Sequence, residues 1–145
     1  MSEFAGLDIL RLFPFTASGL LVALSHWLSR RYPRALPRSW TLAHAFCAAS
    51  FGFEIAGYAT GRPAVLNVLA ASTLGFCGIY LVDTGLRLKD PVRSRKWFRW
   101  AAPLCLAVPA ITEFFENSFF LTAAPTVTFS SFAFVWLGVV IARLP

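Results

Sequence analysis

Hydrophobic positions fall in five long blocks, each closed by a short polar, basic or proline-bearing break. The first runs from Leu12 to Ser29 (LFPFTASGLLVALSHWLS) without a formal charge. Its Pro14 sits in the opening turn, where proline is tolerated. His26 and Trp27 lie at its far end, the usual place for amphipathic side chains at a membrane interface. The second block spans Ser39 to Gly61, with Ser39 as N-cap, Trp40 as interfacial anchor, and Gly61 and Pro63 as stop. The third, PAVLNVLAASTLGFCGIYLVDTGL, has 24 residues and one charge, Asp83. As a helix it is about 36 Å long, against about 30 Å of hydrocarbon to cross. The fourth, residues 97–116, is the weakest: only the 13 residues from Trp100 to Thr112 are free of charge. Pro103 and Pro109 interrupt it. We expect a full span there, with a broken or re-entrant segment as the alternative. The fifth, SFFLTAAPTVTFSSFAFVWLGVVIA, is uncharged over 25 residues, and Arg143 closes it.

The pattern predicts an all-α polytopic bundle of five transmembrane helices at 12–29, 39–61, 63–87, 97–116 and 118–142, forming a single domain over residues 1–145. A short head, residues 1–11, precedes it and carries Asp8 and Arg11 at i, i+3 spacing.

The charges between the blocks alternate. Arg30, Arg31, Arg34 and Arg38 crowd one loop without an acidic residue, and Arg87, Lys89, Arg93, Arg95 and Lys96 crowd another. The turn at 60–63 has a single arginine, and the turn at 113–117 carries Glu113 and Glu116. Basic loops stay on the cytoplasmic side. This predicts an N-terminus outside, a C-terminus in the cytoplasm and a multi-pass protein of a cell inner membrane. Composition agrees: 57% of residues are hydrophobic and 14% charged, where a soluble domain carries about 25% charged. So much apolar surface needs lipid to cover it. The net charge of +6 sits in the loops, so membrane topology accounts for it and nucleic acid is not expected as a partner. The start, Ser2-Glu3 with Asp8, lacks the basic region of a cleavable signal, and the first helix is expected to be retained.

Few residues carry candidate chemistry. Acids inside a span are costly and are functional candidates by default. Glu54, in the apolar and aromatic run SFGFEIAGY, is the foremost. It is expected to pair with a cation, Arg11 ahead of Arg62, or to sit protonated and hydrogen-bonded, or else to serve a ligand or proton. Asp83 and Arg87 share a helical face at i, i+4 and predict a structural ion pair. Glu113, Glu116 and Asn117 also share a face. One reading is a solvated helix end looking outward, since like charges at i, i+3 repel. The other is a small-cation or polar-ligand site at the mouth of the bundle, with Glu54 and Asn67. Cys47, Cys77 and Cys105 come singly from three helices. They make no disulfide framework and no metal-ligand spacing, although three thiols at one depth would suit a soft ion. No metal and no cofactor is expected. His26 and His44 lie near one membrane surface, where histidine needs no haem. No phosphate loop, GxSxG, HExxH or catalytic carboxylate pair is present, and no enzymatic activity is expected. Gly75 and Gly78, with Ala70, Ala71 and Ser72, predict a surface that lets another helix approach closely.

Two stretches carry a family likeness. RRYPRALPRSWTLAHAFCAASF joins an arginine-proline loop to a tryptophan and an apolar helix. GRPAVLNVLAASTLGFCGIYLVDTGLRLKD gives an Arg-x-Pro turn, an early asparagine, an apolar body and a Gly-Leu-Arg exit. Over residues 20–142 the pattern resembles the N-terminal multi-helix membrane region of bacterial GGDEF-type diguanylate cyclases. The cyclase motif itself is absent, so no catalytic residue carries over. The resemblance implies a sensory or anchoring module partnered by the lipid bilayer and by a cytoplasmic signalling output domain or a second copy of itself. The acid in the second block keeps open a small transporter or channel subunit using Glu54, and beyond that a membrane enzyme or a haem or quinone carrier.

Overall fold

In a computed structural model, residues 2–32, 38–61, 63–90, 96–116 and 118–143 are described, with side chains from Phe13 onward except those of Glu116 and Phe119. They form five helices: α1 (Ser2–Arg31), α2 (Arg38–Ala59), α3 (Ala64–Lys89), α4 (Phe98–Glu116) and α5 (Phe119–Ala142).

Among the described residues three helices are long and apolar enough to cross a membrane: Ala64–Lys89, Phe98–Phe115 and Phe120–Ala142. This corrects the expectation of five transmembrane helices and the topology built on it. Length is not the reason. α2 has 22 residues but mixes Ser39, Thr41, His44, Ser50 and Glu54 into its apolar positions. The side chains of α1 are described only from Phe13, and that shorter part carries Thr16, Ser18, Ser25, His26 and Ser29 before Arg30 and Arg31. A span needs about 20 predominantly apolar residues, and polar residues scattered along the helix dilute that. α4, the block in doubt, is one of the three. It runs unbroken through Pro103 and Pro109.

Each helix reverses the last, and the cross-contacts give the register. Phe15 lies 3.4 Å from where a side chain at Gly52 would begin, and the Ser18 hydroxyl is 3.9 Å from the Cys47 thiol. α1 is therefore antiparallel to α2. At one end the Thr84 hydroxyl donates to Ser39 Oγ (3.0 Å). Further along, the Ser50 hydroxyl donates to the Ala70 carbonyl (2.8 Å), so α2 runs antiparallel to α3. The turn between them depends on Gly61 at φ 82°, a left-handed conformation that only glycine adopts without strain.

α3 is the centre. Half of its apolar window is buried, against 17% and 28% in the other two candidate spans. Glycines explain the closeness. A Cβ at Gly75 would lie 2.9 Å from the Cys105 sulfur on α4, one at Gly78 would lie 2.7 Å from the Phe129 ring on α5, and one at Gly85 would overlap the Trp136 indole. The surface of small residues is thus filled by helices of the same chain. The constant offset of the α5 partners makes α5 parallel to α3, with α4 returning between them. A ring column, Phe46–Tyr80–Phe98, ties α2, α3 and α4 together with centroids 5.4 Å apart at each step.

This register collects like with like. The end of α1, the starts of α2 and α4, and the ends of α3 and α5 all fall at one end of the bundle. That end holds Arg30, Arg31, Arg38, Arg87, Lys89, Lys96, Arg99 and Arg143, and all five tryptophans. Arg31 sits 5.5 Å over the Trp27 ring and Lys89 5.8 Å over Trp136. Tryptophan with arginine or lysine is the composition of a membrane–water interface.

Candidate functional site

α2 and α5 both pack on α3, yet among the described residues no Cα of one comes within 8 Å of a Cα of the other. A cleft of about 370 Å³ remains between them. Its floor is Ala70, Ala71 and Leu74 of α3, and its walls include Phe51 and Glu54 of α2 and Phe134 of α5. The small floor residues give it depth: each alanine withholds the side chain that would fill it.

Glu54 is half-buried in that wall, and no hydrogen bond or ion pair joins it to any described residue. The cation expected beside it is not found among the described side chains; those of Arg11 and Arg62 lie outside them. Two of the three serine hydroxyls around the cleft are committed inward. Ser50 donates to the Ala70 carbonyl (2.8 Å) and Ser130 to the Leu74 carbonyl (2.7 Å). Each oxygen keeps its lone pairs, so both serines offer the cleft acceptors only.

The second constellation is enclosed. Glu113, which as a solvated helix end would look outward, is instead 5% exposed. Asn67 Nδ2 donates to its Oε1 (2.8 Å), and the Thr122 hydroxyl donates to its Oε2 (2.6 Å). These three residues come from α3, α4 and α5, and they meet at the end of the bundle opposite the basic one. Asn67 lies in the first turn of α3 and Thr122 in the first turn of α5. Both helix N-termini turn their positive dipole ends toward the carboxyl group. Burial is favoured because the group is satisfied twice over while its helix ends there. Glu54 is not bonded into this network, so the proposed grouping of Glu54, Asn67 and Glu113 separates into two places. Asn117 and the Glu116 side chain lie outside the described residues.

The remaining candidates are structural. Arg87 Nε donates to Asp83 Oδ2 at 3.0 Å, the i, i+4 ion pair on α3. The cysteines do not converge: Cys47 packs with Cys77 in the core between α2 and α3, while Cys105 lies against Gly75 on the α4 side. No group of three metal-ligating side chains exists among the described residues. His26 is exposed. His44 is buried with no hydrogen-bond partner for Nε2 among the described residues, its ring edge-on to Trp40 at 4.7 Å.

Sequence reasoning missed Thr122 and the cleft-lining serines. Thr122 is the fourth residue of an apolar helix and carries no local signal. Only the threefold meeting of α3, α4 and α5 singles it out. No protein family, curated protein or solved structure matches the chain. Fold and composition define a helical, largely apolar, membrane-associated protein of several helices.

Proposed function

We propose that the chain is the membrane-embedded sensory or anchoring module of a bacterial inner-membrane signalling system, without catalysis of its own, and that the α2/α3/α5 cleft is its responsive element. One observation carries the reading: an acid with no partner among the described residues lines a mostly apolar cleft between two helices whose backbones do not approach within 8 Å and which both pack on a third. Occupation of such a cleft changes the spacing of α2 and α5, and α5 leads to the C-terminus. That is the geometry a sensor uses to pass a signal along the chain to an output domain. The likeness to the membrane regions of GGDEF-type cyclases supports the same output.

The test is a chimera with a diguanylate cyclase domain joined in frame after Pro145, assayed for cyclic dinucleotide in cells. Glu54→Gln is expected to change output several-fold at unchanged protein level. The competing reading, a small transporter or channel using Glu54, predicts the opposite pair of results. Output would then be indifferent to Glu54→Gln, and proteoliposomes would show a solute or proton flux that this substitution abolishes.

A further inference from the structure

We propose that the cleft selects a protonated organic amine with an apolar body, its ammonium on Glu54 and its body on the aromatic and alanine walls. The inference rests on the reading of the cleft as a ligand site and names the class of ligand.

Three features converge on it. The first is charge: Glu54 is the one carboxyl group lining the cleft, where the Cys47 thiol is the other ionisable group, and it has no cation among the described residues. The second is hydrogen-bond polarity. Ser50 and Ser130 have already given their protons to the Ala70 and Leu74 carbonyls. Together with the carboxylate they present acceptors, leaving Ser131 as the one lining hydroxyl with a proton not committed to α3. An acceptor-rich site rejects carboxylates and phosphates, whose own oxygens would meet other oxygens, and favours a group bearing several N–H donors. The third is shape. About 370 Å³ lies at the small end of ligand pockets, typically about 300–1,000 Å³. Phe51 and Phe134 face it from opposite walls, suiting a flat apolar body and adding ring faces near the cation. The neighbouring apolar pocket of about 230 Å³ between α4 and α5, lined by Leu104, Cys105 and Phe129, has no charged group and gives no such selectivity.

The test uses the full chain in uncharged detergent with three water-soluble probes of nearly one shape: 2-phenylethylamine, 2-phenylethanol and 3-phenylpropionate. Binding is read as ligand-induced thermal stabilisation and by calorimetric titration. The amine is expected to bind at least tenfold more tightly than the alcohol, and the carboxylate not at all. Glu54→Gln is expected to weaken amine binding at least tenfold while leaving the alcohol unchanged. Val127→Trp, on the α5 wall at a position 45% exposed, serves as an independent block that does not touch the acid, and it should abolish binding of both. Equal binding of amine and alcohol, or amine binding indifferent to Glu54→Gln, overturns the amine assignment while the cleft stands as a ligand site. Binding unaffected by Val127→Trp, or no binding of any probe to the parent chain, overturns the amine assignment and the cleft reading together.

Discussion

Replacing Glu113 by leucine removes the one acceptor that joins three helices. The volume is nearly kept, so the loss is chemical. Two donors lose their partner: Asn67 Nδ2, 2.8 Å from Oε1, and the Thr122 hydroxyl, 2.6 Å from Oε2. A buried donor left unmade costs about 1–3 kcal/mol. The two are unequal. Thr122 can turn its hydroxyl to the Ser118 carbonyl one turn back, which already accepts its backbone N–H at 3.0 Å, so its share falls at the low end. Asn67 is 8% exposed, and its amide loses the carboxylate oxygen it donates to. In a membrane the unfolded reference also finds partners, and measured interhelical hydrogen bonds average about 0.6 kcal/mol. The expected loss for Glu113→Leu is therefore about 2–3 kcal/mol. Glu113→Gln should cost under about 1 kcal/mol, because its oxygen still accepts from Asn67 and its amide can donate to Thr122 Oγ1. The triple variant Asn67→Leu, Glu113→Leu, Thr122→Val removes every partner at once and should recover at least half of the single loss. Unfolding in mixed micelles with increasing SDS, followed by circular dichroism, measures all three. A Glu113→Leu protein as stable as the parent, or a triple variant no better than the single, would refute the account of this carboxyl group as a satisfied interhelical node.

Two further outcomes follow from the packing and the charge distribution. Gly85→Ala places a methyl group inside the Trp136 indole and should cost about 1–3 kcal/mol by overpacking. Gly138→Ala meets nothing within 4 Å and should be neutral or gain up to about 1 kcal/mol of helix propensity; equal effects in the same SDS titration would mean that α3 and α5 are not packed at the glycine seam. All five tryptophans lie at the basic end, so lipids brominated near the headgroup should quench the intrinsic fluorescence more strongly than lipids brominated at the chain terminus. Preferential quenching from the bilayer centre would contradict the interfacial belt.

The helices themselves were legible in the sequence. Apolar runs bounded by Gly61, Pro63 and the two arginine-rich breaks place all five to within a few residues, apart from the longer start of α1, because lipid-compatible helices announce themselves by composition alone. The Asp83–Arg87 pair was legible for the same kind of reason: helical spacing puts four-apart residues on one face whatever the rest of the chain does. The number of candidate spans among the described residues was not, since one long uninterrupted run overshadowed the serines, Thr41, His44 and Glu54 that lower the apolar character of α2. The fate of the acids was decided only by tertiary structure. Along the chain Glu54 and Glu113 both stand among phenylalanines, Glu113 with Glu116 three residues on, and neither setting says which acid is enclosed. Glu113 is closed in because two helix starts bring Asn67 and Thr122 to it from 46 and 9 residues away. Glu54 stands at an open cleft because α5 packs parallel on α3 through Gly78 and Gly85 and leaves α2 unpaired on that side. Periodicity records which way a side chain points from its own helix. It carries no record of which helix arrives to meet it.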